Sequence, residues 1–144
     1  MLLGEYKHTI DTKNRLSLPV KFRKELGKAV VVTPGLDHCL FVFTQKEWKQ
    51  ISDHLSQFSI LQADNRSFNR FMFGGASEAS LDSIGRILIP DHLREWAGLK
   101  QKAVVIGVQN RLEVWDETSW SSYKKDIESK ADTLAEKLGS TGLI

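Results

Sequence analysis

The sequence says the same thing twice. The segment Asp11-Thr-Lys-Asn-Arg15-Leu-Ser-Leu-Pro19 returns, half the chain later, as Asp82-Ser-Ile-Gly-Arg86-Ile-Leu-Ile-Pro90. Asp, Arg and Pro keep their places, and Leu16 and Leu18 exchange with Ile87 and Ile89. The agreement continues through Phe22-Arg23 and Leu93-Arg94, then Ala29–Val32 and Ala103–Ile106, then Leu40-Phe-Val-Phe43 and Leu112-Glu-Val-Trp115, and ends at Trp48 and Trp120. A repeat of this kind fixes the architecture before any single element does. It divides the chain into two halves, 1–73 and 74–144, and predicts an approximate twofold relation between them.

Each half carries the same order of local signals. An alternating strand, with Tyr6, His8 and Ile10 on one face or Ala79 and Leu81 in the second half, leads into a turn at Lys13-Asn14 or Ile84-Gly85. Asn and Gly accept the positive φ that such turns require. A second strand follows the Arg, and Pro19 or Pro90 then opens a short helix with Phe22 and Leu26, or Leu93 and Ala97, facing inward. Two β-branched or aromatic strands come next. Trp48, Ile51, Leu55 and Phe58 recur at helical spacing in the first half, and Trp120, Tyr123, Ile127, Ala131, Leu134 and Leu138 mark a longer helix in the second. Phe68, Phe71 and Met72 read as a short buried helix bridging the halves. Four short strands bury too little surface to stand alone, so the halves are expected to merge into one barrel-like core. The predicted class is α+β, with two tandem, pseudo-symmetric ββαββ-type repeats and peripheral helices.

Composition narrows the function. A single Cys closes no internal disulfide, and there is no signal-type segment or long apolar run, which points to a cytoplasmic protein without a membrane. The net charge of +2 over 144 residues leaves any nucleic-acid surface to a local patch. Such a patch is present around the first motif, where Lys7, Lys13, Arg15, Lys21, Arg23, Lys24 and Lys28 outnumber Glu5, Asp11 and Glu25. Residues 113–144 are acidic and read as a solvated helix. An enzyme needs dissimilar groups converging on one point, whereas a duplicated motif offers similar groups at two separated points. Duplication therefore favours binding to something itself repetitive.

Asp11 and Arg15, like Asp82 and Arg86, flank a three-residue turn that brings their side chains together. The carboxylate holds the guanidinium in one rotamer, so less freedom is lost when Arg meets a target. A preoriented Arg matches the O6 and N7 acceptors of guanine in the major groove. The same pair also serves as a turn brace with no ligand, and the residues alone leave both roles open.

At these positions the chain resembles the MraZ family of bacterial transcriptional regulators, marked by two Asp-x-x-x-Arg motifs, each followed by a Pro after three residues. The opening Met1-Leu-Leu-Gly4, the Gly74-Gly75-Ala76-Ser77 approach and the Leu112-Glu-Val-Trp-Asp116 strand extend the match over nearly the whole length. The resemblance implies a double-split β-barrel of swapped hairpins, like that of AbrB and SpoVT, with both barrel halves in one chain. It also implies a ring-shaped homo-oligomer on double-stranded DNA, associated with the nucleoid. Such a regulator binds short G-rich direct repeats in its own promoter and represses the division and cell-wall gene cluster. On this reading Arg15 and Arg86, together with Lys13, are expected to take the DNA-binding role, Asp11 and Asp82 to orient the arginines, Asn14 and Gly85 to form the turns, and Lys7, Lys21 and Arg23 are candidate phosphate contacts. Asn14 stands where the family usually has Gly, and Ile84 where a polar or small residue is common, which predicts unequal contacts and greater affinity on the Lys13 and Arg15 side.

Other chemistry is weakly signalled. Adjacent His38 and Cys39 are poorly spaced for one metal, His8, His54 and His92 are scattered, Ser83-Ile-Gly85 lacks the frame of a nucleophile elbow, and Gly74-Gly75 lacks the Lys of a phosphate loop. No cofactor, metal, catalytic set or small-molecule substrate is expected. The alternative to DNA binding is a protein-interaction module of antitoxin type on the same barrel, with the acidic C-terminal helix as its contact element.

Overall fold

Alternation shapes the opening strand of the computed structural model, which describes residues 1–142; positions 143 and 144 of the second half lie outside the described residues. In Leu2–Thr9 (β1), Tyr6 and His8 are half-buried while Glu5 and Lys7 face solvent, the period-2 pattern of a strand with one covered face. Tyr6 meets Phe22 edge-on at 5.3 Å. Burial, followed by the charge of Arg23, lowers the His8 pKa and so favours the neutral ring.

Three-residue strands follow each motif: Arg15–Ser17 (β2) and Arg86–Leu88 (β6). Pro19 and Pro90 then occupy the N-cap positions of Val20–Leu26 (α1) and Asp91–Trp96 (α4), just outside the first helical turn expected from sequence. Phe22, Leu26, Leu93 and Ala97 are buried as their spacing predicts. Ala29–Pro34 (β3) and Leu40–Thr44 (β4) in the first half correspond to Lys102–Gln109 (β7) and Leu112–Asp116 (β8) in the second. Gln45–Ser56 (α2) starts where Thr44 Oγ1 accepts the Glu47 amide, and Glu117–Gly139 (α5) where Asp116 accepts the Ser119 amide. Ala63–Gly75 (α3) runs through residues 73 and 74 and leads into Ser77–Ser80 (β5).

These elements form an α+β fold with one six-stranded antiparallel sheet, ordered β1-β7-β8-β4-β3-β5, and a separate two-stranded ribbon of β2 and β6. Exchanging equivalent strands of the two halves reads the sheet order backwards onto itself. The first strand of each half pairs with the other half: β1 lies on β7 over its whole length, and β5 lies on β3. The two strands around the first motif do not form an extended hairpin. They share a single bridge, Ile10 with Leu16, because β1 is committed to β7 and β2 pairs with β6. Leu16, Leu18, Ile87 and Ile89 project from the ribbon into a common core with Val30, Val32, Leu40, Val105, Leu112 and Val114.

The outer helices differ from the sequence reading in two places. α2 ends at Ser56, so Phe58 falls beyond it and is exposed. In α3 only Met72 is buried; Phe71 packs on Trp96 at 5.1 Å, and Phe68 is exposed. Helical spacing marks a shared face but not whether another element covers it. α5 is anchored through its first turns, where Trp120 Nε1 and Lys124 Nζ donate to Glu5 at 2.8 and 3.0 Å, while Leu134 and Leu138 are exposed. No helix among the described residues is long and apolar enough to cross a membrane.

Candidate functional site

Both motif turns are built from the same hydrogen bonds. The Asp11 amide donates to Arg15 O at 3.0 Å and the Asn14 amide to Asp11 O at 3.1 Å; Asp82 N to Arg86 O and Gly85 N to Asp82 O repeat this at 2.9 and 3.0 Å. The geometry requires a left-handed residue, supplied by Asn14 at φ 60° and Gly85 at φ 78°.

Within each turn the acid is fully engaged. Asp11 Oδ1 accepts the Lys13 and Arg15 amides, both at 2.9 Å, and Oδ2 accepts Arg15 Nε at 2.7 Å. Asp82 does the same with the Ile84 amide at 3.1 Å, the Arg86 amide at 2.8 Å and Arg86 Nε at 2.7 Å. The amide of the motif Arg is the main cause holding each carboxyl below its usual range, and its guanidinium acts in the same direction. Asp therefore binds Arg through Nε, the nitrogen that an end-on guanidinium fork does not use. Among the described residues, neither terminal nitrogen of Arg15 meets an acceptor.

The ribbon brings the two arginines together, where the sequence reading has two separated points. In its register Arg15 faces Leu88, Leu16 faces Ile87, and Ser17 faces Arg86. Leu16 and Ile87 point inward, so Arg15, Ser17, Arg86 and Leu88 share the outer face. Arg86 Nη1 lies 3.8 Å from Asp11 Oδ2, which already accepts Arg15 Nε. Both arginine side chains are partly accessible, Arg15 at 34% and Arg86 at 25%.

Each turn is also supported by the opposite half. The Leu18 amide donates to Gly85 O at 2.9 Å and the Ile89 amide to Asn14 O at 2.8 Å. Arg94 bonds Asn14 Oδ1, and Asp91 accepts from Asn14 Nδ2 at 2.8 Å. Its equivalent, Arg23, donates through Nε and Nη2 to Leu18 O at 3.0 and 2.9 Å and packs under Gly85, where an added Cβ would meet Nε at 2.1 Å. Two of Arg23's nitrogens are thus occupied behind the turn, in a position matched by Arg94. The recurrence of Arg at both places was the available signal for this support. Gly85→Ala is expected to cost about 1–2 kcal/mol from its left-handed backbone alone, with the displaced Arg23 adding to the loss. Arg23→Ala should therefore cost less in that background than in the wild type, a non-additivity measurable by urea denaturation of both single variants and the double variant.

Among the remaining candidates, Lys13 is exposed at the first turn, Lys7 on the outer face of β1 and Lys21 on α1. His38 stacks on Trp96 at 4.4 Å, His92 Nε2 lies 3.0 Å from Gly75 O, and His54 is in the last turn of α2. Cys39 is buried, its thiol donating to Leu36 O, and burial drives its pKa upward, so it is no thiolate at neutral pH.

Comparison with known proteins finds the same duplication of the chain. The family model described as "MraZ protein, putative antitoxin-like" matches twice in tandem, at residues 1–71 and 72–139. A protein named transcriptional regulator MraZ from Alkaliphilus oremlandii is 46% identical over 143 residues, covering 99% of this chain and 100% of the relative. Proteins of the same name from Carboxydothermus hydrogenoformans and Moorella thermoacetica are 45% and 46% identical over 138 residues, covering 96% of both chains in each comparison. With both repeats matched and these relatives aligned almost end to end, the chain belongs to the MraZ family, a family of transcriptional regulators and not of enzymes.

Proposed function

We propose that this chain is a sequence-specific, double-stranded DNA-binding transcriptional regulator that reads guanine edges with Arg15 and Arg86. The observation that carries this reading is the pair of guanidinium groups held by their own aspartates through Nε, side by side on one solvent-facing ribbon, with the Arg15 terminal fork meeting no acceptor among the described residues. A fork fixed in advance meets guanine O6 and N7 with little loss of rotamer freedom. Lys13 stands beside Arg15 to add charge, and Lys7 and Lys21 supply phosphate contacts. Arg23, named with them from sequence, acts chiefly by supporting the second turn.

The family resemblance gives this proposal its finer form. The halves 1–73 and 74–144 would compose a swapped-hairpin, double-split barrel, with β1 and β5 as the exchanged strands. Several copies would form a ring that addresses successive G-rich direct repeats, each bound subunit raising the effective concentration of the next. The exposed Phe58, Ile60 and Leu61, between α2 and α3, support self-association. The target would be the chain's own promoter, ahead of the division and cell-wall genes, and the effect repression within the nucleoid.

The test is fluorescence-anisotropy titration of the full chain with a duplex of G-rich direct repeats and with a scrambled duplex of equal composition, across a salt series. Selective binding to the repeats, weakening linearly in log–log plots as salt rises, is expected. Equal binding to both duplexes, or binding to neither, removes the sequence-specific reading and leaves the antitoxin-type interaction module.

A further inference from the structure

The approximate twofold relation between the halves poses a problem that the side chains of the ribbon resolve. A face that is truly twofold would engage DNA equally well in either direction. Here the framework is twofold but the exposed chemistry is not. At one end of the ribbon, Arg15 is accompanied by Lys13 of its own turn and by Leu88 across the ladder. At the other, Arg86 is accompanied by Ile84 of its own turn and by Ser17 across the ladder. By position in the repeat, Lys13 corresponds to Ile84 and Ser17 to Leu88.

Neither apolar side chain is used by the core. Ile84 is 56% exposed at its turn and Leu88 57% on the outer face of the ribbon, while the adjacent Ile87 is buried. Isolated exposed apolar residues are common. Ile84 differs in standing at a turn tip whose amide is tied to the same carboxylate that clamps Arg86. Its backbone is therefore set in a fixed relation to that guanidinium. In the major groove one apolar group is available to such a side chain: the C5-methyl of thymine, which lies among the polar edges that arginine reads.

We infer that Ile84 is a specificity-determining residue that contacts a thymine methyl next to the guanine read by Arg86, and that the Lys13/Ile84 difference gives the subunit a fixed direction on DNA. The inference rests on the DNA-binding reading proposed above and adds to it a base preference and a polarity. Lys13 draws phosphate at one end of the ribbon, Ile84 requires a methyl group at the other, and reversing the subunit loses both contacts together. Leu88 stands beside Arg15 in the place held by Ser17 beside Arg86, so it sharpens the same asymmetry.

The experiment selects binding duplexes from a randomised library with the full-length wild type, then measures anisotropy on the recovered duplex. Deoxyuridine replaces thymine at each guanine-flanking position in turn, which deletes only the methyl. One such replacement is expected to weaken wild-type binding about fourfold, the value of one buried methyl-sized group, and to leave binding by I84A unchanged. Selection repeated with I84K/L88S, which makes the two ends alike, is expected to recover sites with twofold sequence symmetry where the wild type recovers directional ones. Thermal melting checks that both variants are folded. If no duplex is enriched, the DNA-binding reading fails and this inference with it. If guanine-bearing duplexes are enriched but every uracil replacement is neutral, or affects I84A as much as the wild type, the Ile84 assignment alone is overturned. Directional sites recovered by I84K/L88S would overturn the assigned source of polarity.

Discussion

Replacing Arg15 and Arg86 together by alanine is expected to abolish selective binding to a guanine-bearing duplex while leaving the fold in place. Each guanidinium fork on guanine carries about 1–3 kcal/mol of discrimination, so loss of both should lower specific affinity by roughly 30-fold or more. The structural cost is far smaller. Both arginines are partly exposed, and ion pairs of that kind contribute about 0–1 kcal/mol each. The aspartates keep their backbone partners in the variant, because Lys13, Arg15, Ile84 and Arg86 donate to them through main-chain amides. Anisotropy and thermal melting on the same samples make the comparison. Loss of folding in parallel with loss of binding would identify the pairs as turn braces. Arg15→Lys sharpens the result, since a lysine keeps the charge without the planar fork and should retain salt-dependent binding with reduced preference for guanine.

The opposite signature is expected of Leu16→Ala. Leu16 is fully buried in the middle of β2, opposite Ile87, and bridges to Ile10. Removing its isobutyl group leaves a cavity under the ribbon at a cost of about 2–5 kcal/mol, lowering the melting temperature by roughly 5–20 °C. No side chain of the outer face changes. At low temperature, where the variant is folded, its preference for a guanine-bearing duplex should lie within a few-fold of wild type. A loss of preference as large as that of the double arginine variant would mean that the face is defined by packing beneath it.

Local features are the ones most legible in the sequence. Asn14 and Gly85 take the positive φ that their identities allow, Phe22, Leu26, Leu93 and Ala97 face inward as their spacing requires, and each motif Asp lies against its Arg. All of these depend on residues within a few positions of one another. Partner choice is different. The alternation of Tyr6, His8 and Ile10 marks a strand with one covered face, but it is equally compatible with pairing to β2 or to β7, and only the whole core decides. The convergence of Arg15 and Arg86 depends on the β2–β6 register, which links residues far apart in sequence. Arg23 is basic and lies in a basic region, so composition reads it as a phosphate contact, whereas the carbonyl of Leu18 and the bare Cα of Gly85 draw it beneath the turn.

Synthesis of the chain meets one consequence of pairing strands across the two halves. The residues of β1 leave the ribosome well before their partners in β7, with His8 waiting for Ala103 and Leu2 for Gln109. At about 5–20 residues per second, this strand is without its native neighbour for several seconds of translation. An unpaired strand edge is a hazard in that interval, and Glu5 and Lys7, projecting from its solvent side, keep that face of the strand polar and hydrated.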